Sequence, residues 1–214
     1  MQINWIDAMG IGSSYGISPS PKSNCCCWEK GVGVGVWLWG ICSMVSARSA
    51  DFVVSTDGDA KALDMLAENV ASNLQKPFLD KLITKRLEWG NRDHIEAIKE
   101  LNDEGFEVII GTDVTYIPEA ILPLFATAKE LISSNRDARE IWKPALILCH
   151  VLRRVDEPSI LSAASKFGFR LVDMWPTSIP TSSSQSIISS WFLEKSSEEC
   201  IPTTALNIMY FHSE

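Results

Sequence analysis

The 214-residue chain has no apolar run long enough to span a membrane. Its longest uncharged apolar stretch, GVGVGVWLWGICSMV at 31–45, falls short of the roughly 20 residues a spanning helix needs. No membrane association is expected. The opening residues include Asp7 and lack a basic start, so no signal peptide is read there. Positive charge is in deficit: 19 Lys and Arg face 27 Asp and Glu, a net charge of −8. That balance disfavours a general electrostatic grip on nucleic acid, although a local basic patch stays open. Histidine is scarce, with three in the chain, and no Cys or His falls at metal-ligand spacing. The triplet Cys25-Cys26-Cys27 does not suit one tetrahedral metal, because adjacent cysteines rarely reach the same ion. No metal site is therefore expected. Six cysteines in a chain of this length do not make a disulfide framework. They fit a reducing compartment, the cytoplasm or nucleus. No G-x-G-x-x-G opens a helix, which counts against a nicotinamide dehydrogenase, and no internal repeat is present.

What is there is ordinary globular material. Hydrophobic residues make up 46% and charged residues 21%, enough for one domain with a true core. From Gly40 onward apolar runs alternate with amphipathic segments. ADFVVSTDGD (50–59), KRLEWG (85–90), FEVIIGTD (106–113), PALILCHVLR (144–153), RLVDMWP (170–176) and TALNIMYFH (204–212) predict strands. Helices are predicted over 59–74, where Leu63, Leu66, Val70 and Leu74 recur at helical spacing, and over 91–105, 118–134 and 157–169. Such alternation predicts an α/β fold, a mostly parallel sheet with helices on both faces. The two last strands, with no full helix between them, predict an antiparallel edge strand. The Ser-rich stretch between them predicts an exposed excursion. Ligands in such sheets bind at the carboxyl ends of the strands, near the point where strand order reverses.

The first 39 residues fit none of this. They hold Trp5, Trp28, Trp37 and Trp39, half of the eight tryptophans, and Pro19-Ser20-Pro21 interrupts any helix. The chain therefore divides into an atypical segment, 1–39, and a patterned domain, 40–214.

The motifs VVSTDGD, LEWGN, GTDVTYIPEAI, LILCHVLRR and FGFRLVD…NIMYF, in that order, resemble class I (seven-stranded) S-adenosylmethionine-dependent methyltransferases. The nearer likeness is to the lysine-methyltransferase-like branch, and GTDVTY carries it most specifically. The resemblance implies a Rossmann-like sheet, S-adenosyl-L-methionine as cofactor and a protein lysine as substrate. It places Gly40, Asp57, Trp89 and Thr112 at the cofactor. Asp57 would take the ribose hydroxyls, since a carboxylate can accept both protons. The alternative job for Asp57 is a helix N-cap, for which Asp59 competes. Trp89 would lay a flat face beside the adenine, or else serve as a core residue. Asp113 and Tyr116 would position the substrate at the transfer site, Asp113 alternatively capping the helix at Pro118. His150, inside an apolar strand, reads as a satisfied core histidine rather than a base. Arg153-Arg154 read as surface residues or a substrate contact.

One family motif is missing. A glycine-rich turn resembling LELGCGCGG should stand immediately before ICSM, letting backbone approach the cofactor where side chains would block it. VGVGVWLWG stands there instead. Val32 to Gly40 can be encoded by a base string that, read one base later, gives Leu-Glu-Leu-Gly-Cys-Gly-Cys-Gly. The two Trp codons have no synonyms, and each forces a Gly in the shifted frame. The same shift upstream yields an entrance typical of the family. Residues 1–39 are accordingly read as an out-of-frame version of that N-terminus, expected to be poorly ordered because local signals contradict the fold. Other readings stay open: an RNA (transfer-RNA) methyltransferase module standing behind a second domain, or a non-catalytic remnant whose glycine turn is gone. Oligomeric state is not indicated.

Overall fold

The computed structural model describes residues 24–29 (backbone only), 40–134, 143–151, 154–176, 187–188 and 206–214. Seven strands form one sheet in the order β3-β2-β1-β4-β5-β7-β6. Strand β1 spans Asn24–Glu29. Helix α1 (Ile41–Ser49) leads to β2 (Phe52–Asp57), which is buried from Val53 onward as a two-faced parallel strand requires. Helix α2 (Ala60–Asn73) begins at Asp59, whose carboxylate accepts the backbone N–H groups of Lys61 and Ala62. Strand β3 (Leu82–Arg86) precedes α3 (Arg92–Lys99), capped in the same way by Asn91. Strand β4 (Val108–Thr112) runs through a 3₁₀ turn at Pro118–Ala120 into α4 (Ile121–Leu131). Strand β5 (Ala145–Val151), α5 (Glu157–Lys166) with Asp156 as its cap, β6 (Phe169–Trp175) and β7 (Leu206–Ser213) complete the order.

Strands β1 to β5 pair in parallel. β7 is antiparallel to both β5 and β6. The antiparallel strand thus lies one place in from the edge, and β6 is the edge. Order reverses at β1: the chain builds outward to β2 and β3, then returns to lay β4 on the other flank of β1. This is the switch point at which sheets of this kind bind ligands.

The core has two main parts. On the face carrying α3, α4 and α5, Leu124, Phe125, Leu146, Leu148, Phe169 and Phe211 are buried together. The Phe125 ring stands 5.8 Å from Phe169 and 6.0 Å, edge-on, from Phe211. On the opposite face Ala47 of α1 and Leu66 and Val70 of α2 close over Val53, Leu82 and Ile110. A smaller cluster joins Ile147, Cys149, Ile188 and Ile208.

Three expectations need adjusting. Within the first 39 residues, where no pairing was anticipated, Asn24–Glu29 form the central strand, bonded to β2 and β4. The rest of that segment lies outside the described residues. The third strand is Leu82–Arg86, several residues before the predicted 85–90, because pairing of Leu82 with Val53 sets its register. Helix α3 ends at Lys99, earlier than Gly105, and tight turns take the chain from there to Phe106. The Ser-rich stretch falls outside the described residues apart from Ile187 and Ile188.

Candidate functional site

The carboxyl ends of β2, β1 and β4 lie side by side at the switch point. Trp28 pairs with Thr56, and Glu29 pairs with Thr112. Asp57, one residue beyond Thr56, therefore ends β2 only one strand away from Thr112, about 10 Å across two strand spacings. The Asp57 residue is 8% exposed. One of its oxygens accepts the Asp59 N–H at 2.8 Å. Capping of α2 falls to Asp59, so of the two acids it is Asp59, and not Asp57, that does the capping job.

Trp89 stands at the same edge, on the turn after β3. The turn is tied to β2 by the Leu87 N–H donating to the Asp57 carbonyl at 3.0 Å, and to α4 by the Gly90 N–H donating to Thr127 Oγ1 at 2.9 Å. The Trp89 side chain is half-buried and packs against the larger core. Packing of that kind agrees with its reading as a core residue and leaves part of the ring accessible.

Gly40 is the residue before α1, with φ of 95°. A Cβ there would lie 2.9 Å from Leu66 Cδ1. The left-handed backbone calls for glycine, whereas the Leu66 methyl, at the end of a flexible side chain, could move aside. Helix α1 is held against the strand tips by two links that the sequence did not suggest. The hydroxyls of Ser43 and Ser55 meet at 2.6 Å in the core. Thr112 Oγ1 donates to Cys42 Sγ at 3.7 Å. Thr112 is thereby drawn to the first turn of α1, next to Gly40. The connection from β1 to α1, residues 30–40, carries the GVGVGVWLW run and is described only at Gly40.

Beyond Thr112 the chain turns sharply. Asp113 has φ of 53°, unusual for a residue with a side chain, and its N–H donates to the Cys149 carbonyl at 3.1 Å. Asp113 caps no helix: Ile117 and Ala120 hold the cap positions before the 3₁₀ turn and α4. Val114 and Thr115 are buried, while Asp113 and Tyr116 are half-buried at the end of the sheet. Thr115 Oγ1 lies 2.7 Å from His150 Nδ1. His150 is wholly buried, and burial holds its pKa below the usual histidine value against a weaker upward pull from Asp113. Burial also pushes the neighbouring Cys149 thiol up to about 12. A polar Thr inside GTDVTY and a His inside an apolar strand were visible in the sequence. Their pairing was not, since contacts between separate segments leave no local trace.

A cavity of about 550 Å³ opens between the start of α4 and the α5 face, lined among others by Pro118, Leu122, Arg154, Val155 and Lys166. Asp57, Trp89, Thr112, Asp113 and Tyr116 are not among its lining residues. Arg154 is exposed there, and Arg153 lies outside the described residues. Among the described residues no group of three or more His, Cys, Asp or Glu side chains converges as a metal site. No described helix is long and apolar enough to cross a membrane.

Known proteins with similar sequences and folds point one way. Mouse (Mus musculus) protein N-lysine methyltransferase METTL21A is 31% identical over 109 residues, which is 51% of this chain and 46% of that protein. Human (Homo sapiens) protein-lysine N-methyltransferase EEF2KMT is 26% identical over 141 residues, 64% of this chain and 42% of that protein. The chain thus aligns with under half the length of either relative. Among solved structures, a TehB-like SAM-dependent methyltransferase from Corynebacterium glutamicum superposes with a TM-score of 0.56 at 11% identity, covering 91% of this chain and 83% of that one. The protein SMU.776, solved in complex with SAH, superposes with a TM-score of 0.53 at 9% identity, covering 88% and 44%. At such identities these structures establish the fold alone. The sequence profile described as lysine methyltransferase matches residues 2–167, so the likeness reaches back before Gly40. By that match over most of its length, the chain belongs to the lysine methyltransferase family.

Proposed function

We propose that this chain is an S-adenosylmethionine-dependent methyltransferase module acting on lysine side chains of a protein substrate. One observation carries the reading: a buried acid ending β2 and the Gly-Thr-Asp-Val-Thr-Tyr turn ending β4 flank the switch strand of the sheet. The described residues fit such a cofactor. Asp57 would offer a carboxylate to a ribose diol, Gly40 offers backbone without a side chain, and Thr112 ends β4 while half-buried Trp89 follows β3 at the same end of the sheet. When bound, the cofactor supplies an electrophilic methyl group on a sulfonium.

The chain's own task is then positioning. Asp113, on its left-handed turn beyond the end of β4, would hold the incoming lysine by its charge. Tyr116 offers a hydroxyl and a ring to the lysine's aliphatic stem. Lysine attacks as the free amine, so the ammonium held there must first give its proton to the Asp113 carboxylate or to water.

The chain as written is proposed to bind the cofactor weakly. Valines, Trp37 and Leu38 stand in the sequence where the family resemblance calls for the small residues of a glycine turn, and side chains in such a turn would hinder backbone from closing on the methionine part of the cofactor. Isothermal calorimetry with S-adenosylmethionine, followed by transfer of a radiolabelled methyl group to protein and RNA pools, tests the proposal. Label in protein, at lysine, supports it. Label in RNA alone would replace it with the RNA-methylating alternative, and no binding by a chain carrying the glycine turn would leave a non-catalytic role.

A further inference from the structure

The turn that holds Asp113 and Tyr116 is tied to β5 at two adjacent residues. The first tie is backbone: the Asp113 N–H donates to the Cys149 carbonyl at 3.1 Å. The second is made by side chains: His150 Nδ1 lies 2.7 Å from Thr115 Oγ1. Between the two ties, Val114 is buried, and its Cγ2 lies 2.8 Å from where a Cβ on Gly111 would be. A single tie leaves a turn free to rotate about it, whereas two ties on neighbouring residues fix its direction. Asp113 needs such help, since a left-handed backbone persists only where its surroundings over-determine it.

The chemistry of His150 narrows the arrangement further. The residue has no exposed surface, and its Nε2 is buried without a hydrogen-bond partner among the described residues. A neutral imidazole carries one N–H and one lone pair. With the proton on Nε2, a buried donor would have nothing to donate to. With the proton on Nδ1, a lone pair alone is left unmatched, which is the less costly orphan. Nδ1–H then donates to Thr115 Oγ1, and the Thr115 hydroxyl proton remains able to donate onward. Burial favours the neutral ring, against a weaker upward pull on its pKa from Asp113.

We infer that His150, as the neutral Nδ1–H tautomer, is a positioning residue: through Thr115 it fixes the turn that presents Asp113 and Tyr116 to the substrate lysine. The inference rests on the methyltransferase reading for its purpose, but not for its geometry. Its tests therefore separate from failure of that reading.

Long-range proton–nitrogen NMR of the histidine rings reports the tautomer directly. An Nδ1–H pattern for His150 is expected, and an Nε2–H pattern would overturn the inference. Amide hydrogen exchange then compares His150→Leu, Thr115→Val and His150→Asn, whose amide nitrogen can stand in for Nδ1. Residues 113–116 are expected to exchange about tenfold faster or more in the first two variants and near the parent rate in the third. Uniform exchange across all three, or Asn behaving as Leu does, would overturn it. Should His150→Leu not fold, Thr115→Val carries the comparison, since it keeps the shape and removes the acceptor. In a chain that transfers methyl groups, Thr115→Val should lower kcat/KM for the protein substrate roughly tenfold while cofactor affinity stays within about twofold. An equal loss in both would place the effect elsewhere.

Discussion

At the scale of residues, the acids at 57 and 59 show how one structure resolves what one sequence leaves ambiguous. Both are aspartates at a strand-to-helix turn, and either could cap α2 by residue type alone. Asp59 has the capping geometry, and hydrogen bonds from the Ala62 and Lys61 amides hold its pKa below the ordinary carboxylate range. Asp57 is buried at the strand tip. Substitution should therefore split the two. Asp59→Ala lowers the melting temperature and leaves cofactor affinity unchanged. Asp57→Ala, in a chain carrying the glycine turn, weakens the cofactor roughly tenfold or more, as loss of a charged hydrogen-bond acceptor does. Thermal melts and calorimetry on both variants check this, and a cofactor effect at Asp59 would reverse the assignment. Histidines set a second residue-scale expectation. Burial lowers the pKa of both His150 and His212, in the latter with help from Lys143 and Arg170. A folded-state value below the unfolded one means the unfolded chain binds more protons in acid. The stability concerned is complete above the ordinary histidine range and is lost as pH falls below it. Urea midpoints should decline from about pH 7.5 to about pH 5.5, and decline less in His212→Gln.

At the scale of elements, legibility followed periodicity. Helix α2 was readable because Leu66 and Val70 recur on one side and are buried, with an acid placed to cap it. Strands β2, β4 and β5 were readable as apolar runs, since a parallel strand covered on both faces needs them. Strand β1 was not. Its Asn-Cys-Cys-Cys-Trp-Glu has neither alternation nor a β-branched run, and its place follows from partners on either side. The shift of β3 has the same origin, as pairing with β2 outweighed the local pattern around Leu87 and Trp89. The site was half legible. Asp57, Thr112, Asp113 and Tyr116 stand at strand ends and could be listed from sequence, whereas the Cys42–Thr112 and Thr115–His150 links depend on segments far apart in the chain. Gly105 gives an element-scale test. It precedes a parallel bridge between Phe106 and Ile132, has φ of 80°, and an added Cβ would lie 2.8 Å from Ser133 Cα. Backbone there cannot step aside as a side chain would. Gly105→Ala should cost about 2 kcal/mol or more, read as a lower urea midpoint with unchanged slope. A neutral result would mean that the turn can be rebuilt without strain.

At the scale of the whole molecule, two findings bear on the connection between β1 and α1. Topology puts the chain's GVGVGVWLWG run between the switch strand and the helix whose start abuts Thr112, which is where a cofactor's backbone cradle belongs. The family profile, beginning at residue 2, also extends across this run. Glycines at 31, 33, 35 and 40 keep part of the necessary character, but the intervening valines, Trp37 and Leu38 do not. Whether that run is a divergent cradle or a frame error is decidable by exchange. Residues 32–40 as they stand should bind S-adenosylmethionine weakly. Replacing them with Leu-Glu-Leu-Gly-Cys-Gly-Cys-Gly-Gly, the upstream residues being read in the same shifted frame, should tighten binding by about a hundredfold or more, because backbone amides can then close on the cofactor's methionine part. Calorimetry of both chains decides the matter. Tight, equal binding would show that Gly-Val alternation serves as a cradle despite its side chains, and would sink the frame reading. Weak binding by both would mean that the acid at β2 and the turn at β4 do not assemble a cofactor site, leaving a family member that keeps the fold without the chemistry.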